Sequence, residues 1–297
     1  MGVSRLAYLG ADATDLAAWK KFSTEVMGLQ VAAESNDRRL YLRADERHHR
    51  LSIHAGDEDD ITYVGWELAN HRALEETASV LESNGIKVES ATSDELAERC
   101  VLELAHFTCP YTDVRMELAV GNEVALYPRF ISTRDLSGFV MGEQGLGHVV
   151  LLTSDVQGSA EFYVRALGFG ISDYVLFPDG RPFGAFLHCN PRHHSLALVS
   201  MPIGPRKRMQ HLMMEHNSLD DVGQSYDLCV ERKITKSSLG RHPDDRGLSF
   251  YFHSPSGWLF EYAWQLRTVD PKNWVTERYM MGVDNGWGHR GLYGRED

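Results

Sequence analysis

The chain has 297 residues, room for two ordinary domains of roughly 100–150 residues each. Its 30 Lys and Arg against 42 Asp and Glu give a net charge of −12 with no basic run, which excludes nucleic acid as a partner. Hydrophobic residues make up 43%, and no stretch approaches the ~18–20 apolar residues of a membrane span, so a globular protein with a real core and no membrane association is expected.

The first predicted elements, LAYLGADATDLAAWKKFSTEVMGLQV from Leu6, return 140 residues later as LGHVVLLTSDVQGSAEFYVRALGFGI from Leu146. The repeat aligns Asp15 with Asp155, Phe22 with Phe162 and Gly28 with Gly168. Each copy reads as an apolar strand, a turn carrying Asp, and an amphipathic helix closed by Gly. In the first half LYLRAD, RLSIHA and TYVGWELA follow as strands, then a helix near Leu74–Asn84, then FTCPYTDVRMELA. In the second half YVLF, GAFLHC, HSLALVS and MQHLMMEH precede a helix from Leu219 to Lys233, then LSFYFHS and WLFEYAW. Each half is thus two β-α-β-β-β units, giving a sheet-dominated α+β protein. The expected domains are residues 1–134 and 135–297, the latter with residues 270–297 as a tail wrapping the surface. Four cysteines without CxxC spacing and an N-terminus without a basic or apolar leader segment point to a reducing cytoplasm.

Chemistry is sought where the halves differ. His148 lies opposite Tyr8, His211 opposite Gly65, and Glu261 opposite Met116, with Glu117 one step out of register. Strand parity puts His148 with Val150 and Leu152, His211 with Met213, and Glu261 with Leu259 and Ala263, each a polar group on an apolar face. Burying such groups is costly without a partner. If the three strands line one cup, a divalent ion resolves the three costs together. Two His and one carboxylate form the facial set of non-haem Fe(II) oxygenases, with positions left open for substrate and O2. The bland alternative is three unrelated polar residues in a core.

GLGHVVL at His148, FLHCNPRHHSLALV at His194, HLMMEHNSLDDVG at His211, LGRHPDD at His242 and SFYFHSPSGWLFEY through Glu261 resemble the type I extradiol ring-cleavage dioxygenases, over essentially the whole chain. The resemblance implies the paired β-α-β-β-β cup of the vicinal oxygen chelate superfamily and Fe(II), with Mn(II) accepted by the same ligand set, at His148, His211 and Glu261. It implies His194 as acid/base beside the O2 position, with Tyr251 and His242 at a catechol hydroxyl and Asp245 in the following loop. By the same analogy Val150, Phe186 and Met201 line the pocket, and the partners are a small catechol and O2 in a homo-oligomer. The family's Asn before that Asp is Asp244 here, which adds a carboxyl to the substrate loop, and His216 stands where relatives carry an apolar residue. His216 falls on the strand face opposite His211 and should not ligate. His48, His49, His54, His71 and His106 are expected to be structural or solvated, His193 to orient its strand or face solvent, His188 and His253 to be structural, and His289 to be exposed. The rival readings are a ligand-sequestering protein, which the full residue set argues against, and a glyoxalase-type isomerase, which would need a fourth protein ligand.

Overall fold

A computed structural model describes residues 2–200, 207–284 and 286–292. The first unit comprises β1 (Arg5–Ala13), α1 (Leu16–Phe22), β2 (Gln30–Val31), β3 (Arg39–Arg43) and β4 (Leu51–Ala55). The second adds β5 (Ile61–Glu67), α2 (His71–Ser83), β6 (Glu89–Ser90), the short α3 (Ser93–Arg99), β7 (Glu103–Thr108) and β8 (Arg115–Val120). The third repeats the pattern with β9 (His148–Leu152), α4 (Val156–Leu167), β10 (Gly170–Leu176), β11 (Pro182–His188) and β12 (Leu196–Val199). The fourth is β13 (Met209–His216), α5 (Leu219–Glu231), β14 (Gly240–Arg241), β15 (Leu248–His253) and β16 (Leu259–Trp264), followed by β17 (Glu277–Met280) and β18 (Trp287–Gly288).

The repeat is visible in the caps. Asp15 and Asp155 each accept a hydrogen bond from the amide three residues on, and Gly28 and Gly168 close the helices at φ 74° and 75°. The first copy differs in ending on a π-helical turn, Ser23–Met27. Two mixed sheets result, ordered β2-β3-β4-β1-β5-β8-β7-β6 and β17-β10-β11-β12-β9-β13-β16-β15-β14-β18. One continuous core joins them, with Trp66 edge-on to Phe169 at 5.0 Å and Trp19 against Trp258 at 5.3 Å. Among the described residues no helix is long and apolar enough to cross a membrane.

The tail contributes regular structure of its own. β17 extends the second sheet parallel to β10, and β18 pairs antiparallel with β14, so the tail adds both edge strands of that sheet. The strand register also corrects the repeat alignment. Tyr8 pairs with Gly65 as His148 pairs with Met213, and Gly10 pairs with Tyr63 as Val150 pairs with His211. Tyr63, not Gly65, therefore occupies the His211 position. Gly65 pairs with Glu117 as Met213 pairs with Glu261, so Glu117, not Met116, is the counterpart of Glu261.

That first-half position holds a guanidinium. Arg99 Nε and Nη2 each donate to Glu117 at 3.0 Å, Tyr8 Oη donates to it at 2.9 Å, and the Arg99 guanidinium carbon lies 3.7 Å from the centre of the Tyr63 ring. Glu117 is fully buried and Arg99 nearly so. Removing one partner of such a pair strands a buried charge, at a cost of about 3–5 kcal/mol. Arg99→Met should lower the unfolding free energy from urea titration by that amount, and Arg99→Met with Glu117→Gln should recover most of it; iron content should be unchanged in both.

Candidate metal centre and active site

The second sheet turns one face to a cavity of about 290 Å³ lined by His148, His194, His211, His242, Tyr251 and Glu261. His148 opens β9, directly after Gly147 at φ 148°. A Cβ on Gly147 would stand 1.9 Å from the Met213 carbonyl oxygen, so only glycine lets β9 approach β13 closely enough. His211 lies on β13 and Glu261 on β16, both adjacent in the sheet.

Their donor atoms converge. His148 Nε2 and His211 Nε2 are 3.0 Å apart, and Glu261 Oε2 lies 3.4 and 3.2 Å from them. Cis ligands ~2.1 Å from one ion stand ~3.0 Å apart, so these three atoms fit one face of an octahedron. Burial would push the Glu261 carboxyl up; hydrogen bonds and charge from His148 and His211 outweigh it and hold it well below the usual range. Burial lowers His148 to about 4, only partly offset by Glu261, which keeps the imidazole neutral and able to ligate. Gln210 Oε1 sits against His211 Nδ1, where it accepts that N–H and leaves the Nε2 lone pair for the site.

His194 lies over His148, ring centres 3.9 Å apart, with Phe186 edge-on to it at 4.9 Å. Burial, then His148 and His193, hold the His194 imidazole well below its ordinary value. His242 Nε2 is 2.9 Å from Tyr251 Oη, and Tyr251 stands edge-on to His211 at 5.1 Å. Val150 and Asp245 line the cavity as expected, and Asp244 joins them; Met201 falls outside the described residues. Burial pushes both Asp244 and Asp245 carboxyls up, Asp245 well up because Asp244 and Glu261 add negative charge beside it.

Several histidines need relocating. His193 does not face solvent: it is fully buried, 2.8 Å from Asp173 and 3.0 Å from His194 through their Nδ1 atoms. His289 is not exposed but fully buried at the cavity wall, a neighbour missed because nothing periodic marks the tail. His216 packs on the other face of β13 against Phe139 and Tyr262, away from the cavity, as parity required. The first half, expected to lack a ligand set, does bring donor atoms of His48, His49 and Cys100 within 4.8 Å of one another. Arg47, Arg50 and Arg99 line the same small pocket, and burial pushes the Cys100 thiol up to about 11, both unfavourable to a cation. The His48–His49 contact, 3.0 Å between Nδ1 atoms, repeats that of His193–His194 and is a hydrogen bond in each half.

The fold and the donor set define a class, and comparison with known proteins agrees. Residues 145–262 match the family model of the Glyoxalase/Bleomycin resistance protein/Dioxygenase superfamily, and residues 6–56 match the first domain of dihydroxybiphenyl dioxygenase. The chain is 40% identical to a 1,2-dihydroxynaphthalene dioxygenase of Sphingobium xenophagum, covering 95% of each. It is 37% identical to an iron-dependent extradiol dioxygenase of Rhodococcus jostii, covering 97% of each. A crystal structure of a catechol 2,3-dioxygenase superposes with a TM-score of 0.89 at 37% identity, over 97% of this chain and 95% of that one. The chain belongs to the extradiol dioxygenase family of this superfamily.

Burial holds His148 and His194 below the ordinary imidazole value while an unfolded imidazole protonates near 6.5, so the stability these two groups contribute to the metal-free protein falls as pH drops below 6.5, whereas the raised Asp244 and Asp245 carboxyls act in the opposite direction. In chelator-treated protein the loss of unfolding free energy between pH 7.5 and 5.5 should therefore be smaller in His194→Gln than in wild type by about 1.4 kcal/mol, read from urea titrations; an equal loss in the two would contradict it.

Proposed function

We propose that this chain is an Fe(II)-dependent extradiol dioxygenase that opens a catechol ring with O2, both oxygen atoms entering the product. The observation that carries the reading is the convergence of His148, His211 and Glu261 in one cavity with His194, His242 and Tyr251. His148, His211 and Glu261 would hold the ion, which when bound orients catechol and O2 side by side and lets electron density pass between them. Mn(II) suits the same donors.

The chain's own groups handle protons and fit. Tyr251 Oη and His242 Nε2 hold one catechol hydroxyl between them and disperse its charge. His194, kept neutral by burial, accepts a proton at a ring nitrogen from the reacting catechol and returns it as the ring opens. Val150, Phe183, Phe186 and Val199 exclude water and take an apolar substituent. About 290 Å³ lies just below the ~300–1,000 Å³ of drug-sized ligand pockets, which suits a one- or two-ring catechol. Asp244, Asp245 and Asp284 line the cavity, which favours a neutral catechol such as 2,3-dihydroxybiphenyl or 1,2-dihydroxynaphthalene over one bearing a carboxylate. Exposed Leu102, Leu126, Tyr127 and Ile131 support assembly of copies into a homo-oligomer, and four free cysteines support a reducing cytoplasm.

Protein purified anaerobically should carry about one iron per chain and turn 2,3-dihydroxybiphenyl plus O2 into a yellow ring-opened product. Full iron with no product from either diol would reject the reading. In His194→Gln, iron should be retained while kcat falls at least ~100-fold, the range for losing a general acid/base. Unchanged turnover would remove that role. Glu261→Gln should keep the fold and lose iron.

A further inference from the structure

His242 differs from the other cavity residues in its support. His148, His211, Tyr251 and Glu261 sit on ladder-paired strands, but His242 begins the loop between β14 and β15. Its orientation must come from what its ring touches. One contact is the 2.9 Å hydrogen bond to Tyr251 Oη. Another is His289, whose ring centre lies 4.2 Å away at 38°, and 5.5 Å from Tyr251 at 75°.

His289 is itself anchored. Its Nε2 lies 3.1 Å from the Ser249 carbonyl oxygen and 3.0 Å from Ser249 Oγ. A carbonyl only accepts, so Nε2 carries the proton and the ring is held against rotation. The backbone is clipped alongside: Gly288 pairs with Gly240, His289 N donates to Leu239 O at 3.3 Å, and Ser238 N donates to Arg290 O at 3.0 Å. Glycine at 240 makes the fit possible, because a Cβ there would stand 2.4 Å from His289 N and 2.6 Å from its Cγ.

Resting on the functional reading above, we propose that His289 is a positioning residue. Its flat, anchored ring fixes the His242 imidazole so that the His242–Tyr251 pair meets the catechol hydroxyl in a single geometry. The C-terminal segment thereby becomes part of the reaction's alignment. The metal triad is spaced by the ladders of β9, β13 and β16, to which His289 does not belong, so iron content should not change with it. A misplacement of about 1 Å at such a group costs on the order of 100-fold in rate, and loss of one ring wall should cost part of that.

The test compares wild type, His289→Leu, which fills the volume without a flat ring, and His289→Phe, which restores the ring but not the N–H. Each variant is assayed for iron content, kcat and KM with 2,3-dihydroxybiphenyl, and, metal-free, the side-chain 15N NMR signals of His242. Expected for His289→Leu are full iron, kcat down about tenfold with KM changed less than about threefold, and exchange-broadened His242 signals. His289→Phe should recover kcat to within about threefold of wild type and sharpen those signals. Wild-type kcat and sharp signals in His289→Leu would overturn the proposal. So would equal impairment of both variants, since the stacked ring would then not be what matters. If wild type itself, fully loaded with iron, opens no catechol, the functional reading fails instead, and the NMR comparison still decides whether His289 fixes His242.

Discussion

A carboxylate buried in a protein core must find positive compensation or take up a proton, and two such carboxylates organise this molecule. Glu117 and Glu261 occupy equivalent positions in the two sheets, both essentially sealed from solvent. In the first half the compensation is covalently built in: Arg99 presents a fork to both carboxylate oxygens, with Arg115 and Tyr8 completing the shell. In the second half His148 and His211 stand where the first half has Tyr8 and Tyr63, and their ring nitrogens and the carboxylate together offer a donor set to a cation. The same strand framework thus yields a plugged centre in one copy and a reactive one in the other. Its sheets can tolerate either because the ladders, not the central group, set the donor spacing.

Much of this was legible in the sequence for definite reasons. Asp15 and Asp155 as caps, and Gly28 and Gly168 as left-handed stops, are local signals that tertiary context rarely overrides. Strand parity correctly separated His211 from His216, because a side-chain period of two leaves no choice of face. The resemblance then supplied what spacing alone left open, namely that three distant polar residues share one cavity. The partner of Glu261 was misread by one residue for a traceable cause. Setting Glu261 opposite Met116 assumes turns of equal length in the two halves, but β7 and β8 are joined by residues 109–114 and β15 and β16 by 254–258. One extra turn residue shifts the count while the ladder keeps Glu117 in place. A bulge between Gly10 and Ala11 in β1 similarly marks where counting from strand ends becomes unreliable.

The tail was illegible for a different reason. β18 is two residues long and β17 four, too short to show any periodicity, and both are held by backbone pairing rather than by an apolar pattern. The physical signal lies in reciprocal fit: Gly240 and Gly288 face each other across a pair of edge strands where neither could carry a side chain. That relation exists only in three dimensions. Hence a histidine in an apparently loose tail is among the most buried in the chain.

The acidic pair beside the cavity follows the same logic of compensation. Asp244 and Asp245 are buried next to one another and near Glu261, and the described cavity wall offers no Lys or Arg to offset them. Adding a carboxyl where relatives carry an amide would, on a surface, simply add charge. Here burial pushes both carboxyls up, and the charges of Asp244 and Glu261 push Asp245 further. Asp245 is steadied by the Gly247 amide at 3.0 Å, and the Asp244 carbonyl by Arg267 at 3.1 Å, which ties the loop to the segment leading into the tail. Loop, tail and sheet therefore close on one another around the substrate space, and each supplies what the others lack: the sheet the donor spacing, the loop the polar contacts, the tail the wall that holds the loop still.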